Sequence, residues 1–360
     1  RSGNPNATVG PSSTVTSPKA SAPGQDEPVT DIESITVTGT RIRGGATPSP
    51  VITIGSERIR EEGFTDIGEV IRSLPQNFSG GQNPGVAVGA TAGAGGLANQ
   101  NVTGGSALNL RGLGPDATLT LLNGRRMAYG GFVQAVDISA IPVEAVDRVE
   151  IVADGASAIY GSDAVGGVGN VILKRGYEGT TVSTRYAGAT DGGLATHDYA
   201  LTTGRTWATG GLIATYKDTT VDPIYADQRS YTQHLNSPTT IYPDSDLRSG
   251  LVSAYQGLGD ALELRLDALR TKRKQDYSYY ASTASQAYQH VTPETTMSLV
   301  SPSIEIRLPS DWTLSAGGTW SKDEHLQRQS AVNRVSGAVS ALYDECYCNE
   351  SRTYEASAEG

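Results

Sequence analysis

The sequence predicts two parts of different fold class, a small α+β domain followed by the strands of a transmembrane antiparallel β-barrel. Glycine accounts for 43 of the 360 residues and hydrophobic residues for 37%, which favours turns and strands over a compact helical fold. All three phenylalanines precede residue 178, whereas 14 of the 17 tyrosines follow it. After residue 176, segments of alternating polarity are joined by short and long connections, as in outer-membrane barrels.

The first 40 residues divide into a polar tether and a short β-prone run. Residues 1–30 are rich in Ser, Thr, Pro, Asn and Gly, and they lack the apolar surface that offsets ordering entropy, so we expect a flexible linker. The run that follows, within residues 31–40, contains β-branched residues between polar flanks. Taken alone, this run favours an ordinary edge strand.

Short helices and strands are mixed between residues 45 and 105. Residues 51–54 are strand-like, and Ser56 and Thr65 are candidate N-caps of two brief helices. The second helix, residues 66–74, stops at Pro75 and has apolar residues at helical spacing, namely Ile67, Val70, Ile71 and Leu74. Residues 77–105 show neither helical nor strand periodicity, which predicts a long loop.

The next segments alternate between strands and tight turns. Strands are expected at 107–110 and 117–122, and Asn123-Gly124 is a strong two-residue hairpin signal because both residues tolerate positive φ. The hairpin should return through residues 125–128. A one-turn helix at 141–146, with a proline near its start, should lead into a strand at 148–152, and another strand is expected at 168–174.

Eight candidate strands follow residue 176. They span 180–187, 197–203, 211–216, 251–255, 262–269, 296–306, 312–320 and 353–358. Short connections are expected at 205–209, 257–260 and 309–311, and long polar ones at 218–248, 276–292 and 329–350, apart from a short first loop near residue 191. The tyrosines of this region suit the aromatic girdles of a barrel.

Residues 147–176 carry a family resemblance. They run DRVEIVADGASAIYGSDAVGGVGNVILKRG, and upstream lie Asn109-Leu110-Arg111-Gly112 and Leu122-Asn123-Gly124-Arg125-Arg126. Together these motifs resemble the plug domain of TonB-dependent outer-membrane receptors. One departure is Gly169, where the family usually carries a branched apolar residue or alanine.

The resemblance implies an α+β plug domain inside a transmembrane antiparallel β-barrel of about 22 strands, of which roughly the first eight are present here. A plug at residues 45–176 cannot fit inside eight strands, so we expect the chain to be the N-terminal part of a longer protein. The barrel portion is then 177–360, and 31–40 is the TonB box region. The expected TonB-interacting residues are Glu33, Ser34, Ile35, Thr36, Val37, Thr38 and Gly39.

The resemblance also implies roles for charged and glycine residues of the plug. Arg and Glu side chains should tie the plug to itself and to the barrel, although Arg125 and Arg126 are equally well explained as exposed strand-end charges. The spaced glycines should form tight turns where backbone approaches backbone. The expected plug-motif and plug–barrel residues are Arg111, Gly112, Asn123, Gly124, Arg125, Arg148, Glu150, Tyr160, Gly161, Gly166, Gly167 and Asn170.

The function implied is active import across the outer membrane of a Gram-negative bacterium, with the N-terminus in the periplasm. The expected partners are the inner-membrane energy-coupling protein TonB, a small-molecule ligand, outer-membrane lipid and lipopolysaccharide. A ferric siderophore or similar iron complex is the favoured ligand. Alternatives are cobalamin, a carbohydrate or another small organic nutrient, a signal-transducing receptor, and a passive porin-like barrel.

The sequence argues against several other functional classes. A net charge of -10 without a dominant basic stripe argues against nucleic acid binding. The glycine clusters lack a phosphate-loop Gly-Lys-Ser/Thr, the four histidines lack metal-ligand spacing, and nothing singles out a catalytic nucleophile. We therefore expect no enzyme activity, no resident metal and no cofactor beyond an iron-chelate ligand. Cys346 and Cys348 are predicted to lie in a loop, too close for a relaxed disulfide with each other.

Overall fold

A five-stranded mixed sheet forms the centre of the N-terminal domain. The computed structural model describes residues 49–78, 84, 101, 103–130, 134–280, 284–309 and 312–359. The strands are β1 (Val51–Gly55), β2 (Thr118–Leu122), β3 (Arg125–Arg126), β4 (Val146–Val152) and β5 (Gly167–Leu173), in the order β1-β4-β5-β2-β3. Only β2 and β5 pair in parallel. The predicted α+β class is confirmed for this domain.

Three short helices pack around this sheet, namely α1 (Ser56–Glu61), α2 (Ile67–Arg72) and α3 (Ser157–Tyr160). The apolar residues predicted for the second helix, Ile67, Val70, Ile71 and Leu74, are all buried in the main core. Both predicted N-caps are wrong. Gly55 caps α1 without a side-chain bond, and Asp66 caps α2 because its carboxylate, not the Thr65 hydroxyl, accepts the amide hydrogen of Glu69 at 2.8 Å.

Tight turns fall where the sequence indicates them. Asn123 and Gly124 adopt φ of 49° and 78°, as the predicted hairpin requires, although the returning strand β3 has only two residues. The predicted strand at 107–110 is wrong, because these buried residues make only an isolated bridge between Leu110 and Asn77. Most of the long loop predicted at 77–105 lies outside the described residues, as does the predicted strand at the TonB box.

The second part of the chain is an eight-stranded antiparallel meander, called here the wall. Its strands are β6 (Gly179–Ala187), β7 (Thr196–Trp207), β8 (Gly210–Val221), β11 (Asp244–Leu258), β12 (Leu262–Tyr279), β13 (Ala287–Arg307), β14 (Thr313–Asn333) and β15 (Val339–Glu359). They pair in sequence order, with β6 and β15 at the edges. A small ribbon of β9 (Ile224–Tyr225) and β10 (Thr240–Tyr242) lies in the connection between β8 and β11. The predicted number of eight strands is confirmed.

The wall strands are longer than predicted, and two of the predicted long loops are wrong. Most of 276–292 belongs to β12 and β13, and most of 329–350 belongs to β14 and β15, whose connection is only 334–338. The strands continue because their backbone hydrogen bonds remain paired, although their side chains no longer alternate in polarity. Cys346 and Cys348 therefore lie in β15 rather than in a loop, and the structure joins their sulfur atoms.

The wall has two chemically different faces. The inner face lies against the N-terminal domain and buries polar residues such as Thr271, Ser301 and Thr319. The outer face exposes a band of large apolar side chains, namely Leu212, Val252, Leu264, Leu266, Val300, Leu314 and Trp320. Such alternation is that of strands with lipid on one side. None of the helices in the described ranges is long and apolar enough to cross a membrane.

Candidate functional site

The hairpin at Asn123-Gly124 links the N-terminal domain to the wall. The Asn123 carboxamide accepts the amide hydrogen of Leu173 at 2.9 Å and donates to Asp267 of β12 at 3.0 Å. The Gly124 amide donates to Asn170 Oδ1 at 2.9 Å. The turn needs positive φ at both residues, which Asn and Gly tolerate. The backbone conformation and the hydrogen bonds are therefore satisfied by the same two residues. Three predicted motif residues are thus brought together here.

The glycine pair Gly166-Gly167 lies where two backbones meet. The Gly166 amide donates to the carbonyl of Ala117 at 2.7 Å, and Gly167 has a φ of 141°. A Cβ on Gly167 would stand 2.3 Å from the carbonyl oxygen of Val152, closer than real Cβ contacts come. Only glycine allows β5 to start at this point between β2 and β4.

Arg126 holds the turn that contains Tyr160 and Gly161. Its guanidinium forms an ion pair with Asp163 and donates to the carbonyl oxygen of Tyr160. Gly161 has a φ of 95°, and the half-buried Tyr160 ring packs against a small apolar cluster that includes Leu121 and Val168. The side chain of Arg126 is therefore engaged within the domain and does not reach the wall.

Arg148 and Glu150 form a pair on β4. Arg148 donates to Glu150 and to Asp147, both at 2.8 Å, and Glu150 is 4% exposed. Burial disfavours the charged form of Arg148, but the hydrogen bonds to Glu150 and Asp147 outweigh it and raise the pKa of the guanidinium. The buried Glu150 carboxylate is thus paired with the Arg148 guanidinium, as a buried charge requires.

Arg111 and Gly112 lie at the opposite end of the domain, in a left-handed turn with φ of 61° and 71°. Arg111 is half-exposed, and its guanidinium lies 3.9 Å from Asp154. Hydrogen bonds from the Gly155 amide and the Ser49 hydroxyl lower the pKa of the exposed Asp154 carboxyl. This end therefore differs from the half-buried hairpin in presenting charged groups to solvent.

Polar contacts also join the domain to the wall at sites that were not predicted. Arg273 of β12 donates to Asp137 at 2.9 Å and to Ser139 at 3.0 Å. Lys217 of β8 donates to the carbonyl oxygen of Thr65 at 2.7 Å. The sequence offers no local signal for these partners, because Asp137 and Arg273 are 136 residues apart.

Two further contacts involve the segment after the hairpin. Arg125 of β3 forms a 2.8 Å ion pair with Glu355 of β15, so Arg125 is engaged with the wall rather than exposed alone. The Ala128 amide donates to the Ser321 hydroxyl at 2.8 Å. Apolar residues of the wall complete the shared core, namely Ile213, Leu251, Leu269, Met297 and Leu299. The N-terminal domain is thus packed against the inner face along several strands.

The chemistry of the described residues is that of packing and binding. They contain no group of three or more His, Cys, Asp or Glu residues arranged to hold a metal ion. The predicted TonB-interacting residues, 33–39, lie outside the described residues, so their role stays a prediction.

Comparisons with known proteins agree with this architecture. Residues 44–168 match the family described as TonB-dependent Receptor Plug Domain. The ferric citrate transporter FecA in its unliganded form has a similar structure, with a TM-score of 0.56 at 12% identity, over 86% of this chain and 53% of that one. A variant of the ferric enterobactin receptor PfeA from Pseudomonas aeruginosa gives a TM-score of 0.51 at 14% identity, over 86% of this chain and 55% of that one.

These similarities identify the plug domain and the fold. The chain spans little more than half the length of these solved structures, and at such low identity they establish the fold alone. The proteins that share it are a transporter and a receptor rather than enzymes. Residues 44–168 therefore match the plug domain of TonB-dependent receptors, and this domain is followed by eight antiparallel strands whose arrangement is similar to the barrel strands of these solved structures.

Proposed function

We propose that this protein imports a scarce nutrient across the outer membrane, driven by TonB, and that the nutrient is a ferric siderophore or a similar iron complex. The N-terminus lies in the periplasm, where residues 33–39 meet TonB. The observation that carries the proposal is the plug packed on the inner face of the wall through a shared core and polar contacts. A plugged lumen admits no solute until the plug rearranges, which requires energy input.

The outer face supports placement in a lipid bilayer. Its apolar band is flanked by Trp207 and Trp312 beside the short connections, and both indole rings are nearly half-exposed. Aromatic side chains of this kind favour membrane–water interfaces. Outer-membrane lipid, including lipopolysaccharide, is accordingly the proposed surrounding of the wall.

Recognition by TonB is proposed to occur through edge addition of a strand. The segment around Ile35 to Thr38 is β-prone, and an extended peptide can add to a sheet through main-chain hydrogen bonds. Proline within it removes one backbone donor and fixes φ, which is incompatible with a paired strand.

The experiment is Val37→Pro in the whole receptor, measured by ligand uptake and by ligand binding to cells. We expect uptake to be abolished and binding to be retained, because the ligand site does not include this segment. Val29→Pro, the same substitution in the linker, is the matched control and should leave both unchanged. Normal uptake by the Val37→Pro variant would remove the TonB-box assignment and favour a passive barrel.

A further inference from the structure

The two faces of the wall differ in the number of Lys and Arg side chains that they carry between the apolar band and the long connections. The boundary is the row of paired residues that contains Arg270, Ser298 and Lys322. From this row to the far ends of the strands, the outer face carries many cations, namely Arg248, Arg270, Lys272, Lys274, Lys322 and Arg328. Several of them pair with outer-face acids, as Lys272 does with Glu294. Most basic side chains of these strands are therefore directed away from the lumen.

The inner face of the same rows has little cationic charge to offer. Among the described strand residues above the boundary, only Arg185, Lys217 and Arg273 are Lys or Arg on this face. Each lies in an ion pair, Arg185 with Asp198 at 3.6 Å, Lys217 with Glu144 at 3.6 Å and Arg273 with Asp137 at 2.9 Å. Lys217 and Arg273 pair with plug acids, and Arg185 pairs with a wall acid while it donates to the Thr65 hydroxyl of the plug at 3.0 Å.

Carboxamide and tyrosine side chains, rather than cations, line the inner face at the strand ends near the long connections. Tyr279, Gln289 and Gln329, called here the amide–tyrosine patch, are partly exposed. The Gln329 carboxamide donates to the carbonyl of the Gln289 side chain and, at 3.3 Å, to the Tyr279 hydroxyl. Carboxamides and phenols both donate and accept hydrogen bonds without carrying charge.

Further from the strand ends, toward the plug, the inner face also carries uncharged side chains that are joined by hydrogen bonds. Thr295 and His325 share a 2.8 Å hydrogen bond, and the other His325 nitrogen lies 3.1 Å from Gln327 Oε1. The Tyr347 ring lies beside His325, with centroids 6.1 Å apart, and its hydroxyl donates to Glu345 at 2.6 Å. The carboxylate of Glu345 gives this part of the wall negative charge.

This arrangement disfavours an anionic ligand. An anion that leaves water needs cations or several donors to replace its hydration, and like charge across an interface is unfavourable. An uncharged ligand rich in hydroxyl and amide groups needs only neutral donors and acceptors. Aromatic faces can also cover its apolar parts.

We infer, on the basis of the proposed importer function, that the amide–tyrosine patch selects an uncharged, hydrogen-bonding ligand. Among iron complexes, this chemistry fits a ferric trishydroxamate, in which the three hydroxamate charges balance that of the iron. A neutral oligosaccharide offers the same kind of surface. Ferric citrate and ferric tris-catecholate complexes keep net negative charge and are rejected.

The test measures equilibrium binding to the whole receptor in detergent by titration calorimetry. The neutral probes are ferrichrome and maltotriose, and the anionic probes are ferric citrate and ferric enterobactin. We expect one neutral probe to bind at least tenfold more tightly than either anionic probe, and which neutral probe binds identifies the source of the shared chemistry. Tighter binding of an anionic probe, or no binding of either neutral probe, overturns the inference.

Variants then locate the binding on the patch. Gln289→Leu and Gln329→Leu should each weaken binding of the neutral probe at least fivefold, because they remove groups that both donate and accept. Arg328→Leu is the matched control, since Arg328 neighbours Gln329 but faces outward against Asp344, and it should leave binding unchanged. Equal effects of Gln329→Leu and Arg328→Leu overturn the assignment to the patch.

The proposed function is tested separately by uptake of the probe that binds. If the Val37→Pro variant imports an anionic probe poorly but the unaltered receptor imports it well, the importer function stands and the ligand inference fails. If a neutral probe binds through the patch and its uptake is unaffected by Val37→Pro, the ligand inference stands and TonB-driven import fails.

Discussion

At the scale of single residues, the plug depends on glycines that have no substitute. Gly167 combines a φ of 141° with a backbone oxygen in the position that a Cβ would take. Gly124 also has positive φ, 78°, but nothing lies within 4 Å of its Cβ position. A side chain at Gly124 would therefore cause backbone strain alone, whereas one at Gly167 would cause strain and steric overlap. The sequence does not distinguish these two glycines.

We predict that Gly167→Ala destabilises the plug by about 2–4 kcal/mol, because overpacking against the Val152 carbonyl adds to the cost of the backbone conformation. Gly124→Ala, the control, should cost only about 1–2 kcal/mol. The free energy of unfolding of the plug in the receptor, measured by pulse proteolysis, checks both values. Equal losses in the two variants would contradict the steric argument.

At the scale of elements, α2 starts on a carboxylate that the fold partly buries. Asp66 caps α2 through its hydrogen bond with the Glu69 amide, and it lies close to Arg72 and Lys217. Burial is the largest influence and raises the pKa of Asp66 above its ordinary value of 3.8, although Arg72 opposes this. Asp66 therefore binds a proton more tightly in the folded plug than in the unfolded chain.

We predict that this capping residue makes plug stability fall as the pH rises. An acid whose pKa is raised by folding stabilises the native state below its unfolded pKa of 3.8, and this contribution is lost as the pH rises through the folded value. Asp66→Asn keeps the accepting oxygen and removes the titration. Its free energy of unfolding should match or exceed that of the wild type at pH 7, and the difference should shrink toward pH 4.

Asp66→Ala is the control for the cap itself, because it removes the accepting oxygen as well as the charge. It should lower the stability of the plug by about 1 kcal/mol relative to Asp66→Asn at every pH. Pulse proteolysis across this pH range measures all three proteins. An unchanged pH profile in Asp66→Asn would show that Asp66 is not the titrating group.

At the scale of the whole molecule, the plug and the wall share one core, and their polar contacts are distributed over the sheet. Ala128 and Ser321 lie at the centre of this interface, 1% and 0% exposed, and are joined by a 2.8 Å hydrogen bond. If transport requires the plug to move relative to the wall, a covalent link at this point must stop it.

We predict that oxidation of the pair Ala128→Cys with Ser321→Cys reduces uptake at least tenfold, leaves ligand binding intact, and is reversed by a reductant. The control pair, Ser298→Cys with Lys322→Cys, joins two wall strands that are already paired and should not affect uptake. Single-cysteine variants control for reduction of Cys346 and Cys348. Full uptake by a completely cross-linked plug would exclude movement at this interface.

Much of the plug could be predicted from sequence because its signals are local. The hairpin at Asn123-Gly124 and the helical spacing of Ile67, Val70 and Ile71 depend on residues a few positions apart. The predicted N-caps of α1 and α2 were wrong by one position each. At α2 two neighbouring polar residues, Thr65 and Asp66, compete for the same amide groups, whereas Gly55 caps α1 without a side-chain bond. The wall partners of the plug residues could not be predicted, because each contact joins residues far apart in the chain.

By itself, the sequence determined the two-part organisation, the tight turns and the number of wall strands. Alternation of polar and apolar residues is clear where one face meets lipid, so it revealed the parts of β8 and of β11 to β15 that lie next to their short connections. Only the tertiary structure showed that the strands continue toward the long connections. There, charged residues face outward and neighbouring backbones supply the hydrogen bonds. The tertiary structure also decided which charges meet, such as Arg273 with Asp137, because a buried charge is stable only with its partner in place.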